Sequence, residues 1–132
     1  IALCNLDTRY GFLSFSGTGN SLLHVTDGRI AEIKPMAGRE GGSDKEDETF
    51  VTGMLQLKEN DILYLCSDGY SDQFGGSKHK RYTRKRLSDF LLRISALPMP
   101  EQGDRLYEEI AAWREEKGED QTDDITIIGI KI

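Results

Sequence analysis

The most constraining feature of the sequence is the stretch Asp61–Gly76, DILYLCSDGYSDQFGG. It contains five consecutive apolar residues, Ile62–Cys66, and then breaks into a polar segment with Asp68, Gly69 and a second carboxylate at Asp72. A short, uninterrupted apolar run predicts a strand that is buried on both faces. Glycine lets the chain turn sharply and lets a neighbouring group approach the backbone closely. A carboxylate at the end of a buried strand is costly unless it is paired or binds a metal ion, so Asp68 is the first candidate for function.

Length and composition limit the class of protein. The chain has 132 residues, which suits one domain, and it carries a formal net charge of −6. The negative net charge argues against general nucleic-acid binding, which a basic surface usually drives. No stretch reaches the roughly 18 apolar residues of a membrane span. Cys4 and Cys66 lie in apolar runs and form no C-x-x-C pair. They are interpreted as buried, reduced thiols, which favours a cytoplasmic protein. From the charge and the hydropathy we expect no nucleic-acid partner and no membrane contact.

Both ends of the sequence are apolar. The chain begins at Ile1 inside an apolar run and closes on the strand-like Ile125–Ile132. Natural domain ends are usually polar and frayed. We therefore expect the chain to be a piece of a longer protein.

The first half of the sequence predicts short strands joined by turns. The predicted strands are Ile1–Asp7, Gly11–Gly17, Leu22–Thr26, Arg29–Lys34 and Phe50–Leu57. Asp27-Gly28 between two apolar runs is a strong hairpin signal. The polar, glycine-rich segment Met36–Glu48 is predicted to be a mobile loop. Consecutive strands with short turns predict an antiparallel meander.

Beyond the central stretch the apolar residues recur at helical spacing. Arg84–Leu97 and Glu101–Lys117 predict two helices, with Thr83 as an N-cap and Gly118 as a C-terminal cap. A last strand, Ile125–Ile132, follows. Strands, then helices, then one returning strand predict an α+β fold in which helices pack on a mostly antiparallel sheet.

Acidic residues occur at the ends of two predicted strands. Asp68 and Asp72 follow one strand, and Asp123 and Asp124 precede another. If these strands are antiparallel neighbours, the carboxylates meet at one end of the sheet. Clustered carboxylates repel one another unless a cation lies among them, and hard oxygen ligands select magnesium, manganese or calcium. The alternative is a solvated turn at Asp123-Asp124 and an Asx-turn at Asp68.

These residues carry a resemblance to a known family. Leu63–Asp72, followed much later by Asp123–Thr126, resembles two signature blocks of the metal-dependent PP2C-type protein phosphatases, and more closely those of the bacterial SpoIIE/RsbU-like serine phosphatases. Gly11–Gly19 and Leu22–Gly28 are similar to that branch's strand–glycine–hairpin stretch, and Gln73–Gly76 resembles versions attached to sensor or tetratricopeptide modules. The resemblance implies a sandwich of two antiparallel β-sheets with flanking helices.

The resemblance also implies a mechanism. In the family, a two-metal centre of Mn²⁺ or Mg²⁺ activates water for attack on phosphoserine or phosphothreonine. The match makes Asp68 and Asp123 catalytic metal ligands and Asp124 a neighbouring or supporting group. It makes Asp72 a ligand of a further, weaker metal, while Gly69 would shape the metal-binding turn. The implied substrate is a phosphorylated signalling protein, commonly an anti-sigma-factor antagonist, and the implied full protein has an upstream sensor module.

One family block does not occur in the sequence. Family members carry an earlier Asp followed shortly by Gly-His-Gly, which supplies the bridging metal ligand. We therefore expect residues 1–132 to be the C-terminal portion of a single phosphatase domain, with an incomplete metal centre. We expect the isolated chain to be inactive and to form a homodimer through exposed sheet edges and apolar faces. Two alternatives are a non-catalytic phosphatase-like module that binds partners and a calcium- or magnesium-stabilised structural domain.

The basic stretch Lys78–Arg86, KHKRYTRKR, stands out in an acidic chain. Its alternatives are a solvated loop and helix start, an electrostatic guide for a phosphorylated or acidic partner and, third, a contact with nucleic acid. His24 and His79 have no nucleophile or metal partner at a telling spacing and are interpreted as incidental. Trp113 is interpreted as a core anchor.

Overall fold

The computed structural model describes residues 2–17, 21–34, 36–38, 49–51 and 53–132. Within these residues the chain forms eleven β-strands and three α-helices. In chain order the strands are β1 (Ala2–Asp7), β2 (Phe12–Gly17), β3 (Leu22–Thr26), β4 (Arg29–Ile33), β5 (Met36–Gly38), β6 (Thr49–Val51), β7 (Gly53–Gln56), β8 (Ile62–Cys66), β9 (Phe74–Gly75), β10 (Lys80–Arg81) and β11 (Ile127–Lys131). The helices are α1 (Gly69–Asp72), α2 (Arg84–Ile94) and α3 (Met99–Glu115).

Two antiparallel sheets form the centre of the fold. One has the strand order β1-β2-β7 and the other the order β11-β8-β3-β4. The pairs β5–β6 and β9–β10 form two short ribbons. The predicted hairpin joins β3 to β4, with Thr26 opposite Arg29. Its turn residues, Asp27 and Gly28, both have positive φ, as a tight hairpin of this kind requires.

Strand β8 lies inside the four-stranded sheet, and its alternating side chains enter two different cores. Leu63 packs with Leu13 and Phe15 of the three-stranded sheet. Ile62 and Tyr64 point to the opposite face and belong to the core beneath the helices. The predicted burial of β8 on both faces is confirmed. The α+β sandwich of antiparallel sheets with flanking helices is confirmed as well.

Helices α2 and α3 cover the outer face of the four-stranded sheet. Leu91 of α2 and Leu106 of α3 are buried in the same core as Tyr64. The hydroxyl of Thr83 accepts a hydrogen bond from the amide of Arg86, which confirms the predicted N-cap. Gly118 follows α3 with a φ of +68°, as expected for a residue that ends a helix. No helix in the described residues is long and apolar enough to cross a membrane.

Two local predictions differ from the structure. Met36–Gly38, predicted as part of a mobile loop, forms β5 and pairs with β6. The remainder of that predicted loop, residues 39–48, lies outside the described residues. Phe50–Leu57, predicted as one strand, contributes to both β6 and β7, because β6 pairs with β5 whereas β7 pairs with β2 of the three-stranded sheet. The choice of pairing partner is non-local, so it leaves no mark in the hydrophobic pattern.

Candidate active site

The pairing of β8 with β11 brings the two acidic segments together. The strands are antiparallel neighbours, with Cys66 at the end of β8 opposite Ile127 at the start of β11. The segment after β8, which carries Asp68, therefore lies beside the segment before β11, which carries Asp123 and Asp124. The structure thus has the strand arrangement on which the predicted site depends.

Ser67 fastens these two segments to each other. Its amide donates a hydrogen bond to the carbonyl of Thr126 at 2.9 Å. Its hydroxyl donates to the carbonyl of Asp124 at 3.1 Å and accepts from the amide of Thr126 at 2.9 Å. The side chain thereby extends the contact between β8 and β11 beyond the last paired residues. The sequence pattern alone did not indicate this positioning role for Ser67.

Gly69 lies directly against the backbone of Asp124. A Cβ atom at Gly69 would lie 2.3 Å from the Asp124 carbonyl oxygen and 3.3 Å from Cγ1 of Ile125. Only a residue without a side chain permits this approach. Gly69 is also the first residue of the one-turn helix α1, where the sequence suggested only a sharp turn. Glycine is therefore needed at this position for the close contact.

The four carboxylates of the predicted site are exposed. Asp123 accepts a hydrogen bond at Oδ1 from the amide of Asp124 at 2.7 Å. Asp72 lies 3.4 Å from the guanidinium of Arg81, and both side chains are at least half exposed, so this ion pair contributes little stability. Asp68 is not the buried charge that its place after a buried strand suggested. Strand β8 ends two residues earlier, and Asp68 already lies at the surface.

The carboxylates of the predicted site are of a type that binds hard divalent cations, but the described residues bring too few of them together. Carboxylate oxygens are the ligands that Mg²⁺ and Mn²⁺ prefer. Across the described part of the chain, Asp68, Asp123 and Asp124 form no ion pair that would occupy their oxygens. In that same part of the chain, however, no group of three or more His, Cys, Asp or Glu side chains is arranged to hold a metal ion. The described residues therefore offer donors of a suitable kind but no complete metal site.

The basic stretch Lys78–Arg86 is largely neutralised by ion pairs. Four of its six Lys and Arg side chains are paired: Arg84–Glu32 at 2.9 Å, Lys85–Asp89 at 2.9 Å, Arg86–Glu109 at 3.2 Å and Arg81–Asp72 at 3.4 Å. The ring of His79 lies 2.7 Å from the carboxylate of Glu119. Lys78 and Lys80 line a cleft of about 440 Å³ beside the ring of Trp113. This charge balance favours the solvated-loop interpretation over an electrostatic guide.

Sequence reasoning missed a buried, hydrogen-bonded side-chain pair at the other end of β8. His24 Nε2 lies 2.8 Å from Asp61 Oδ2, and the two residues are only 5% and 3% exposed. The same carboxylate oxygen accepts a hydrogen bond from the amide of Lys58 at 2.9 Å. Asp61 immediately precedes β8, whereas Asp68 follows it, so this pair is separate from the candidate site. His24 is thus a structural residue rather than an incidental one.

Replacing Gly69 with alanine should destabilise the domain by about 1–3 kcal/mol, because the added methyl overlaps a backbone carbonyl that Ser67 holds in place. The higher helix propensity of alanine, worth about 1 kcal/mol, offsets only part of this cost. Gly103→Ala is the matched control, since a Cβ there has no atom within 4 Å. We expect it to stabilise α3 by about 0.5–1 kcal/mol. Urea unfolding measures both variants. A free energy of unfolding that changes in the same direction for both would contradict the contact at Gly69.

Comparison with known proteins supports the fold and gives the family. The sequence profile of Stage II sporulation protein E (SpoIIE) matches residues 1–132. The SiaA-PP2C domain of Pseudomonas aeruginosa is 29% identical with a TM-score of 0.83, over 99% of this chain and 50% of that one. The Mn-presoaked phosphatase domain of SpoIIE from Bacillus subtilis is 19% identical with a TM-score of 0.67, over 100% of this chain and 56% of that one. The RsbU and RsbW domains of Rv1364c from Mycobacterium tuberculosis are 19% identical with a TM-score of 0.63, over 97% of this chain and 34% of that one.

A search of curated proteins found no match. The chain spans about half the length of the SiaA and SpoIIE domains. The family profile nevertheless covers the whole chain, so the resemblance seen in the two acidic blocks is confirmed. The chain belongs to the SpoIIE family of PP2C-type phosphatases.

Proposed function

We propose that residues 1–132 are the C-terminal portion of a metal-dependent serine/threonine phosphatase domain and form one wall of its two-metal centre. The observation that carries this proposal is the junction of β8 and β11, which sets Asp68 beside the segment of Asp123 and Asp124. The exposed oxygens and the family match support it. The bridging ligand would come from the part of the domain that these residues do not include.

In this proposal the carboxylates of Asp68 and Asp123 hold Mn²⁺ or Mg²⁺. Asp124 supports Asp123, and Asp72 contributes to a further, weaker site. When bound, the two metal ions would supply a water of lowered pKa and neutralise charge on the phosphoryl oxygens. The chain's own contribution is positioning. The hydrogen bonds of Ser67 and the close contact at Gly69 keep the two acidic segments in register, which limits reorganisation when the site is filled.

We infer that the substrate is a signalling protein that carries phosphoserine or phosphothreonine, with a phosphorylated anti-sigma-factor antagonist as the specific candidate. An upstream sensor module would control the reaction. One structural relative contains RsbU and RsbW domains, which is in keeping with a regulatory role. A cytoplasmic location suits the two free cysteines. Burial raises the pKa of the Cys66 thiol to about 11, as expected for an unreactive core thiol.

We further propose that the isolated chain forms a homodimer. Leu3 and Met54 lie on the three-stranded sheet and are 66% and 72% exposed. Two such faces in contact would remove apolar surface from water. Sedimentation of the isolated chain as a monodisperse monomer would rule out this association.

The proposed reaction is tested on the complete phosphatase domain that contains this chain. We expect it to release phosphate from a phosphoserine peptide only with Mn²⁺ or Mg²⁺, to stop when the metal is chelated, and to recover when Mn²⁺ is restored. The isolated 132-residue chain should release little phosphate or none. Hydrolysis that persists without metal would contradict the proposal. A complete domain that binds partners but cleaves no phosphoester would favour the partner-binding module instead.

A further inference from the structure

We propose that Gln73 is a positioning residue for the metal centre, because its carboxamide fixes the loop that carries Asp123 and Asp124. This inference rests on the proposed function and extends it to a residue that touches neither metal nor substrate. Gln73 follows α1 and is completely buried, with 0% of its surface exposed. A buried carboxamide must satisfy its hydrogen bonds within the protein, because an unpaired polar group there is costly.

The side chain of Gln73 forms most of its hydrogen bonds with the loop that carries Asp123 and Asp124, called here the acidic loop. Its Nε2 donates to the carbonyl of Asp120 at 2.9 Å and to the carbonyl of Phe74 at 3.1 Å. Its Oε1 accepts from the amide of Thr122 at 3.3 Å. Two of these three partners belong to the loop before β11, and Thr122 immediately precedes Asp123. All the partners are backbone groups, so the contacts depend on loop conformation rather than on loop sequence.

Gln73 is itself held by two other elements. Its carbonyl accepts hydrogen bonds from the amide of Tyr82 at 2.9 Å and from the indole Nε1 of Trp113 at 3.2 Å. The glycines that follow allow this packing, since a Cβ at Gly75 would lie 2.2 Å from the carbonyl oxygen of Trp113. The carboxamide is therefore attached to a fixed part of the core. It can hold the loop to helix α3 and to the segment after β10.

Together, Gln73 and Ser67 bracket Asp123 along the chain. Gln73 fixes the backbone at Asp120 and Thr122, and Ser67 fixes it at Asp124 and Thr126. A ligand whose backbone is fixed on both sides loses less conformational freedom when a cation binds. We therefore expect Gln73 to act on metal affinity.

The test compares two buried glutamines in the complete domain. Gln73→Met removes the hydrogen bonds but keeps the length of the side chain. Gln102→Met is the matched control. Gln102 lies in α3 and is 1% exposed. It donates to the carbonyls of Ser95 and Leu97, in the connection between α2 and α3, and accepts from the hydroxyl of Tyr64 in β8. Both variants should lower stability, so stability alone does not separate the two roles.

The affinity for Mn²⁺ separates the positioning role from a purely structural one, and isothermal titration calorimetry measures it. We expect Gln73→Met to weaken Mn²⁺ binding about 10- to 100-fold, as is typical when a partner that orients a metal ligand is removed. Gln102→Met should bind Mn²⁺ like the wild type. Unchanged affinity in Gln73→Met, or an equal loss in Gln102→Met, would overturn the positioning role. A wild-type domain that binds no Mn²⁺ would overturn the proposed function and this inference with it.

Hydrogen exchange in the metal-free domain provides a second readout, and its wild-type part does not depend on any variant. The amide of Thr122 should exchange slowly, because Gln73 holds it before any cation arrives. In Gln73→Met the same amide should exchange faster, while the amide of Thr126, which Ser67 holds, stays protected. An unprotected Thr122 amide in the wild type would overturn the inference on its own.

Discussion

Asp68→Asn should lower the Mn²⁺-dependent kcat/KM of the complete domain about 100-fold or more. Asparagine has nearly the same shape, but it is neutral and is a weaker ligand for a hard cation. The charge stabilisation that a bound metal supplies is worth several kcal/mol, and each loss of about 1.4 kcal/mol is a factor of ten in rate. Phosphate release from a phosphoserine peptide at saturating Mn²⁺ measures the loss.

Stability and a matched carboxylate serve as controls for this variant. Asp68 is exposed, so the substitution should change the free energy of unfolding by no more than about 0.5 kcal/mol. Asp104, an exposed aspartate in α3, lies outside the candidate site, and Asp104→Asn should retain full activity. Full activity in Asp68→Asn, or an equal loss in Asp104→Asn, would count against a metal-ligand role for Asp68.

Asp61→Ala should have the largest effect on stability, a loss of about 3–5 kcal/mol. The substitution leaves His24 buried without its partner and leaves the amide of Lys58 without an acceptor. Each buried polar group that is left without a hydrogen-bond partner typically costs about 1–3 kcal/mol, and here there are two. Asp27→Asn tests an exposed ion pair instead, since Asp27 and Lys58 are both mostly solvent-accessible, and should change stability by at most about 1 kcal/mol. Urea unfolding at neutral pH compares the two.

The same carboxyl group predicts a dependence of stability on pH. Burial alone would raise the pKa of Asp61, but hydrogen bonds from groups that include the Lys58 amide and the His24 ring outweigh it and lower that pKa. The ionised form therefore stabilises the fold above the unfolded-state pKa of about 3.9, and this stabilisation is lost as the pH falls through the lower folded-state value. Wild-type stability should fall more steeply below about pH 4 than that of Asp61→Asn. Parallel curves for the two proteins would contradict this assignment.

Local patterns predicted most of the fold. Ile62–Cys66 marks a doubly buried strand, Asp27-Gly28 marks a hairpin, and the apolar spacing in α2 and α3 marks two helices. Each of these signals is carried by neighbouring residues, so it can be recognised without knowing the partners. The division of residues 49–56 between β6 and β7 depends on which strands they pair with, so no local pattern predicts it.

The same distinction applies to the site. The prediction that Asp68 and Asp123 belong to the site rests on their positions next to strands and within recognisable blocks. Gln73 and Thr122 are 49 residues apart, and His24 and Asp61 are 37 residues apart. A buried glutamine or histidine has no pattern around it that distinguishes it from a solvated one. The contacts that hold the acidic loop therefore become visible only once β8 and β11 are paired.

The central claim is that Asp68 and Asp123 serve one metal centre. Titration of Mn²⁺ into the complete domain tests it most directly, with wild type, Asp68→Asn, Asp123→Asn and the double variant. We expect each single substitution to weaken binding strongly and the double substitution to add much less than the sum of the two losses, because residues that act on one site are not additive. Wild-type affinity in either single variant, or losses that add fully in the double variant, would contradict a shared centre.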